Sequence, residues 1–278
     1  MSRAGLIWSA ASGAAATAAA HWSFNARRGD KGPTSVRWTR TNHRGETVTL
    51  LEGPTVAAGL AAAASVAPGV SAQLRRAAVV AALGAGCFGV YDDLAGRGDR
   101  RGFRGHLGAL FRGEVTSGAV KIVGIGATGL AAAALTGRRG LGLVVSGGVV
   151  AATANLVNLL DLRPGRALKA ALVLTVLDGR HGPDAARLAA VAAGSALVAL
   201  PADLQERSML GDAGANALGA VLGTVALARE DAGSRLLLRL GVLTALTMAS
   251  EKVSFTRVIE ATPGLRELDR VGRRPQLA

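Results

Sequence analysis

Nine apolar stretches separated by charged loops run the length of this chain, at roughly 4–22, 53–72, 74–91, 117–136, 140–160, 166–178, 184–200, 209–228 and 235–250. A helix that crosses a bilayer needs about 20 mostly apolar residues. An Ala-rich soluble helix would explain any one of these stretches, but not nine in one chain. The segment 166–178 is the shortest of them. The first follows only Arg3 and has no convincing cleavage site, so it reads as a retained helix and not a signal peptide. The predicted fold is all-α: a polytopic integral membrane helix bundle of about nine transmembrane helices. Residues 1–250 form a single transmembrane domain, followed by a basic tail at 251–278.

Composition narrows the class further. Half of the residues are hydrophobic, only 3% are aromatic, and the formal charge is +13. A disordered chain has low hydrophobicity. A disulfide-stapled secreted domain needs several cysteines, and Cys87 is single. A soluble nucleic-acid binder can be this basic but is rarely this apolar, so no nucleic-acid partner is expected. Loop charge sets orientation. The loops 23–52, 92–116, 161–166 and 201–210, with the helix ends beside them and the tail, hold 22 of the 32 Lys and Arg residues. That side is predicted to be cytoplasmic, which puts the N-terminus outside and the C-terminus inside, in the plasma membrane. The same side holds 15 of the 19 acids, which the orientation rule does not require. Acids gathered beside bases at a membrane edge suggest a site that handles a metal ion or a phosphate.

Four segments on that side carry chemistry. Asp92 and Asp93 follow Tyr91 at the end of the third span. Adjacent carboxylates at a membrane boundary need compensation. Mg²⁺, which prefers oxygen ligands, would supply it, and two such acids can divide metal binding from proton transfer. The loop from Asp99 to Arg112 is basic, and Lys121 lies about one turn inside the fourth span, where an ammonium snorkels to the interface or faces a polar cavity. Asn155, Asn158 and Asp161 recur every three residues, which sets three polar groups along one helix face. Arg163-Pro164-Gly165-Arg166 then breaks that helix. Asp212 opens a span rich in small residues, with Gly211, Gly214 and Gly219 permitting close backbone approach.

Together these segments resemble the polyprenyl-phosphate N-acetylhexosamine-1-phosphate transferases, the family of phospho-N-acetylmuramoyl-pentapeptide transferase and the polyprenyl-phosphate GlcNAc-1-phosphate transferases. Tyr91-Asp92-Asp93 is similar to the family's Asp-Asp motif, and Asn155 to Asp161 to its Asn-x-x-Asn-x-x-Asp motif. Leu210-Gly211-Asp212-Ala213-Gly214 is similar to its Leu-Gly-Asp-x-Gly motif. Thr41-Asn42-His43-Arg44-Gly45 resembles its first cytoplasmic loop. The resemblance spans roughly residues 40–225 and holds in order and in placement.

The resemblance implies a Mg²⁺-dependent reaction in cell-envelope polymer synthesis. A membrane polyprenyl phosphate attacks the β-phosphate of a UDP-linked amino sugar, giving polyprenyl-diphospho-sugar and UMP. Asp92 and Asp93 are the implied catalytic residues, with Asp93 and Asp212 holding the metal. Asn42, Arg44, Lys121, Asn155, Asn158 and Asp161 are the implied substrate-binding residues. The partners would be the prenyl lipid and a nucleotide sugar, and some relatives are dimers, which leaves a homodimer open. Three features depart from the family pattern. Gly96 stands where a third acid is common, Pro164 replaces the second acid of the nucleotide motif, and the His-rich loop near the C-terminus is missing. The alternative is a non-catalytic homologue that binds lipid phosphate or scaffolds envelope-synthesis enzymes.

Overall fold

A computed structural model describes residues 3–26, 37–95, 112, 116–228 and 233–275. Each of the nine predicted segments contains a helix: α1 (Arg3–Ala26), α2 (Glu52–Ser65), α3 (Ala72–Ala95), α4 (Ser117–Leu135), α5 (Gly140–Leu160), α6 (Arg166–Asp178), α7 (Pro183–Leu204), α8 (Gly211–Ala226) and α9 (Gly233–Ser250). A short antiparallel hairpin, β1 (Thr39–Thr41) and β2 (Thr47–Thr49), precedes α2. Two short helices, α10 (Phe255–Ala261) and α11 (Leu265–Arg270), form the C-terminal segment. Most of the basic loop 96–115, including Asp99 and His106, lies outside the described residues.

Four of these helices, α3, α4, α5 and α7, are long and apolar enough to cross a membrane. The second predicted span, 53–72, is longer than the helix found there. The helix ends at Ser65, and Ala67-Pro68-Gly69 turns the chain, with Gly69 in the left-handed region. Its 14 residues rise only about 21 Å, short of the ~30 Å hydrocarbon core. The 13-residue α6 is shorter still.

Helix α8 is the axis of the bundle. Every residue from Ala213 to Ala226 is buried, and the helix packs against α2 through α7. A helix apolar on all faces belongs in such a centre. Small residues let its neighbours close in: a Cβ on Gly89 of α3 would fall on the backbone of Asp212. Outer helices keep large apolar side chains exposed, among them Val123, Leu141, Val144 and Leu197. On α1, Trp8 and Trp22 are 72% and 73% exposed. The 14 steps from one to the other rise about 21 Å, so the two indoles sit near opposite ends of the helix, as in an aromatic belt.

The chain reverses so that the end of α3, the start of α4, the end of α5, the starts of α6 and α8, and the ends of α7 and α9 meet at one pole. Where they are described, the predicted same-side loops touch one another there, through Arg40 with Asp93, Arg44 with Glu206, and Gly165 with Asp203. The opposite pole is tied by Arg187 donating to the Gly69 carbonyl at 2.6 Å, and by the Ser71 N–H donating to Asp184 at 2.8 Å.

Candidate functional site

The site is built around the first residues of α8. Gly211 opens the helix with φ +59°. That backbone is left-handed, which glycine adopts freely. It turns the N–H groups of Asp212 and Ala213 toward the end of α3. Asp93 meets them, with Oδ1 accepting from Asp212 N at 3.1 Å and Oδ2 accepting from Ala213 N at 3.0 Å. A carboxylate at a helix N-terminus satisfies orphan donors and complements the dipole. Its own backbone carbonyl accepts from the Arg40 guanidinium. Asp93 thus clamps α3, α8 and the hairpin together.

Asp92, one residue earlier, faces a different space. The Lys121 Nζ lies 2.6 Å from Asp92 Oδ2 and 2.6 Å from Asp212 Oδ2. One ammonium bridges two carboxylates that α3 and α8 would otherwise hold in mutual repulsion. All three side chains remain 15–22% exposed, so the trio borders solvent. Thr116 caps α4 through Oγ1, accepting from Ala119 N at 3.1 Å, and so fixes the turn that carries Lys121.

Asp161 ends α5 and accepts a hydrogen bond from the Gly211 N–H. Its Oδ2 is buried and has no hydrogen-bond partner among the described residues. Burial, followed by the charges of Asp203, Asp212 and Asp93, pushes its carboxyl well above the usual carboxylate range. Asp203, near the end of α7, is itself buried and accepts from Gly165 N at 3.2 Å.

Beside Lys121 opens a slot of about 250 Å³ between α4, α5, α8 and α9. Its walls include Ile122, Ile125, Ala151 and Met248, and its polar edge is formed by Lys121, Asn155 and Asn216. Asn155 is held by a 3.0 Å hydrogen bond to Thr247 Oγ1 of α9. Asn216 donates to the Asp212 carbonyl at 2.7 Å.

The predicted residues thus fall into two groups. Asp92, Asp93, Lys121, Asp161 and Asp212 surround the start of α8, with Asn155 on the adjoining slot. Asn158 is half-buried, one turn before Asp161. Asn42 and Arg44 lie elsewhere, joined to Glu206 and the C-terminal segment. Asn42 Nδ2 donates to Glu206 at 2.8 Å, Arg44 Nε lies 2.9 Å from Glu206, and Arg44 Nη2 donates to the carbonyls of Arg274 and Pro275. No protein-family model matches this chain. No curated protein matches it either.

Sequence reasoning missed Arg40, Asp203 and Asn216. Asn216 follows Asp212 by four residues, a spacing that puts both on one helix face. Asp203 is a lone acid at the end of an apolar stretch, as Asp212 is at the start of one. Arg40 carried no such signal, because its partner is a backbone carbonyl.

The arrangement bears on the implied Mg²⁺. Among the described residues, no group of three or more His, Cys, Asp or Glu side chains is arranged to hold a metal ion. Mg²⁺ does not need one, since it is commonly bound by one or two carboxylates, substrate phosphates and water. Asp92 and Asp212 fit that pattern: they converge from two helices and are partly open to solvent. Asp93 does not, because both its oxygens are spent on backbone N–H groups.

Proposed function

We propose that this chain is a membrane glycosyl-1-phosphate transferase that joins a sugar-1-phosphate from a UDP-amino sugar to a polyprenyl phosphate on the cytoplasmic face. One observation carries the reading: a Lys121 ammonium shared by Asp92 and Asp212 at the polar edge of an apolar slot. An apolar slot ending in a cation, with the two acids that hold that cation behind it, suits an amphiphile with a phosphate head.

Phosphoryl transfer asks the protein mainly to position two anions and offset their charge. Lys121 would leave its carboxylates for the lipid phosphate. Asp92 would accept the proton of that phosphate, and its freed oxygen would attack the β-phosphorus. The bond from that phosphorus to the bridging oxygen breaks, and UMP departs with the oxygen. Mg²⁺ held by Asp92 and Asp212 would neutralise charge on the diphosphate. Asp93 would keep α3 and α8 in register. The buried, unpartnered Oδ2 of Asp161 would accept a hydrogen bond from the nucleotide once the site rearranges around it.

The alternative is a non-catalytic homologue in which the same Lys121 binds lipid phosphate without turnover. One assay separates the two. Purified protein is given polyprenyl phosphate, Mg²⁺ and a panel of UDP-amino sugars, and UMP release is followed. UMP from at least one sugar, lost in Asp92→Asn and in Lys121→Met, supports the transferase. No UMP from any sugar, while wild type retains polyprenyl phosphate, overturns it in favour of a binding protein.

A further inference from the structure

The C-terminal segment does more than trail from α9. Arg166, buried at the start of α6, grips Asp269 through two hydrogen bonds of 2.8 and 3.1 Å, and Arg273 joins the same carboxylate at 2.5 Å. Arg273 also donates to the Pro164 carbonyl at 2.8 Å. Arg274 pairs with Glu46 of the hairpin at 2.6 Å. The segment is thereby strapped across the hairpin and the α5–α6 turn. A cleft of about 260 Å³ is left between them.

The charges in that cleft do not cancel. Glu206 is engaged by Arg44 and Asn42, and Asp269 by Arg166 and Arg273. The side chains of two lining cations, Arg163 and Arg270, form no hydrogen bond or ion pair among the described residues. Arg163 is half-buried, which makes an uncompensated guanidinium there costly. The one acid left over, Glu260, is exposed at the rim. The field is felt nearby. Burial lowers the His43 imidazole below its usual range, and although Glu206 opposes this, Arg163, Arg44 and Arg273 push it down further. At about 260 Å³ the cleft is smaller than a site for a drug-sized ligand. It has room for a phosphate head and little more.

We propose that this cleft is a second anion site, in which Arg163 and Arg270 bind a phosphate group brought by a soluble phosphate compound or by an anionic phospholipid headgroup. Guanidinium groups suit phosphate because their forked donors match its oxygens. The proposal does not rest on the transfer reaction, and its ligand need not be a substrate.

The test uses the full chain in neutral detergent at low ionic strength, with inorganic pyrophosphate as the soluble probe, read by microscale thermophoresis. In parallel, native mass spectrometry counts phosphatidylglycerol retained from nanodiscs. Arg163→Gln with Arg270→Gln is expected to weaken one of the two by about tenfold, the loss of a charge-assisted contact. Glu260→Gln is expected to tighten the same one. Pyrophosphate binding that responds to these changes assigns a soluble ligand, and phosphatidylglycerol retention that responds assigns a lipid. If the double variant folds poorly, Arg270→Gln alone serves, because that side chain is exposed and unpaired among the described residues. Binding of both probes unchanged in the variants, or binding of neither by wild type, overturns the proposal.

Discussion

Gly211 and Asp93 are packed so closely that a Cβ on the glycine would lie 3.0 Å from Asp93 Oδ2. The glycine is also held at φ +59°. Gly211→Ala therefore meets both a left-handed backbone and the carboxylate that caps α8. The left-handed conformation alone costs a residue with a Cβ about 1–2 kcal/mol. A lowered Tm in detergent is the expected result, and an unchanged Tm would show that the α3–α8 clamp tolerates displacement.

The neighbouring acids separate by readout. Asp93→Ala removes the acceptor of two backbone N–H groups and leaves them buried, at a cost of about 1–3 kcal/mol each. It should lower thermal stability and activity together. Asp92→Asn keeps its shape and can still accept from Lys121, so it should lower Tm by less than Asp93→Ala while abolishing UMP release. Equal stability losses in both variants would contradict the division of labour between them.

Removing the bridge exposes what it restrains. In Lys121→Met, Asp92 and Asp212 face each other without a cation. The variant should melt at lower temperature in EDTA than wild type, and Mg²⁺ should restore more stability to it than to wild type. A thermal-shift titration with MgCl₂ measures this, and an absence of any Mg²⁺ response would remove the acid pair as a metal site.

Asp161 behaves in the opposite sense. Its carboxyl is raised by burial and by neighbouring acids. A group raised on folding is best tolerated at low pH, and its ionised form weighs against the fold as pH rises toward the elevated value. Asp161→Asn is expected to be at least as stable as wild type at pH 8, with little difference near pH 4, while losing turnover. Melting curves across that range check the sign.

The C-terminal strap should fail in acid. Burial raises Asp269, but the hydrogen bonds and charge of Arg166 and the charge of Arg273 outweigh it and hold the carboxyl below its usual range. Its stabilisation is complete above the unfolded value of about 3.9 and is lost as pH falls through the lower folded value. Limited proteolysis should release residues 251–278 below about pH 4 and spare them at neutral pH. Asp269→Asn should expose them at neutral pH, since breaking a buried pair costs about 3–5 kcal/mol.

Helix positions were legible because apolar runs need no partner to be recognised, and Asp92, Asp161 and Asp212 because acids at the ends of such runs are conspicuous. The second segment misled because Ala61 to Ala67 continue the apolar run while Pro68-Gly69 turns it. Asp92 and Asp93 looked equivalent side by side. Successive helical residues point about 100° apart, and that rotation sends one to a lysine and the other to backbone N–H groups. Asn42 and Arg44 joined the candidate site through the resemblance of Thr41 to Gly45 to a family loop, but their partners lie 164 and 230 residues away, in Glu206 and Arg274. No local pattern reports such a pairing.

The burial of α8 limits what can move when the slot fills. Asp212 sits on a rod gripped along its length by α2 through α7, so repositioning it would disturb most of the bundle. Helix α9, which supplies Thr247 and Met248 to the slot, packs chiefly on α5 and is tethered to α6 by the Arg239–Asp178 pair. Of the two walls α8 is the fixed one, and any widening of the slot is expected at α9, whose loss of packing would be smaller.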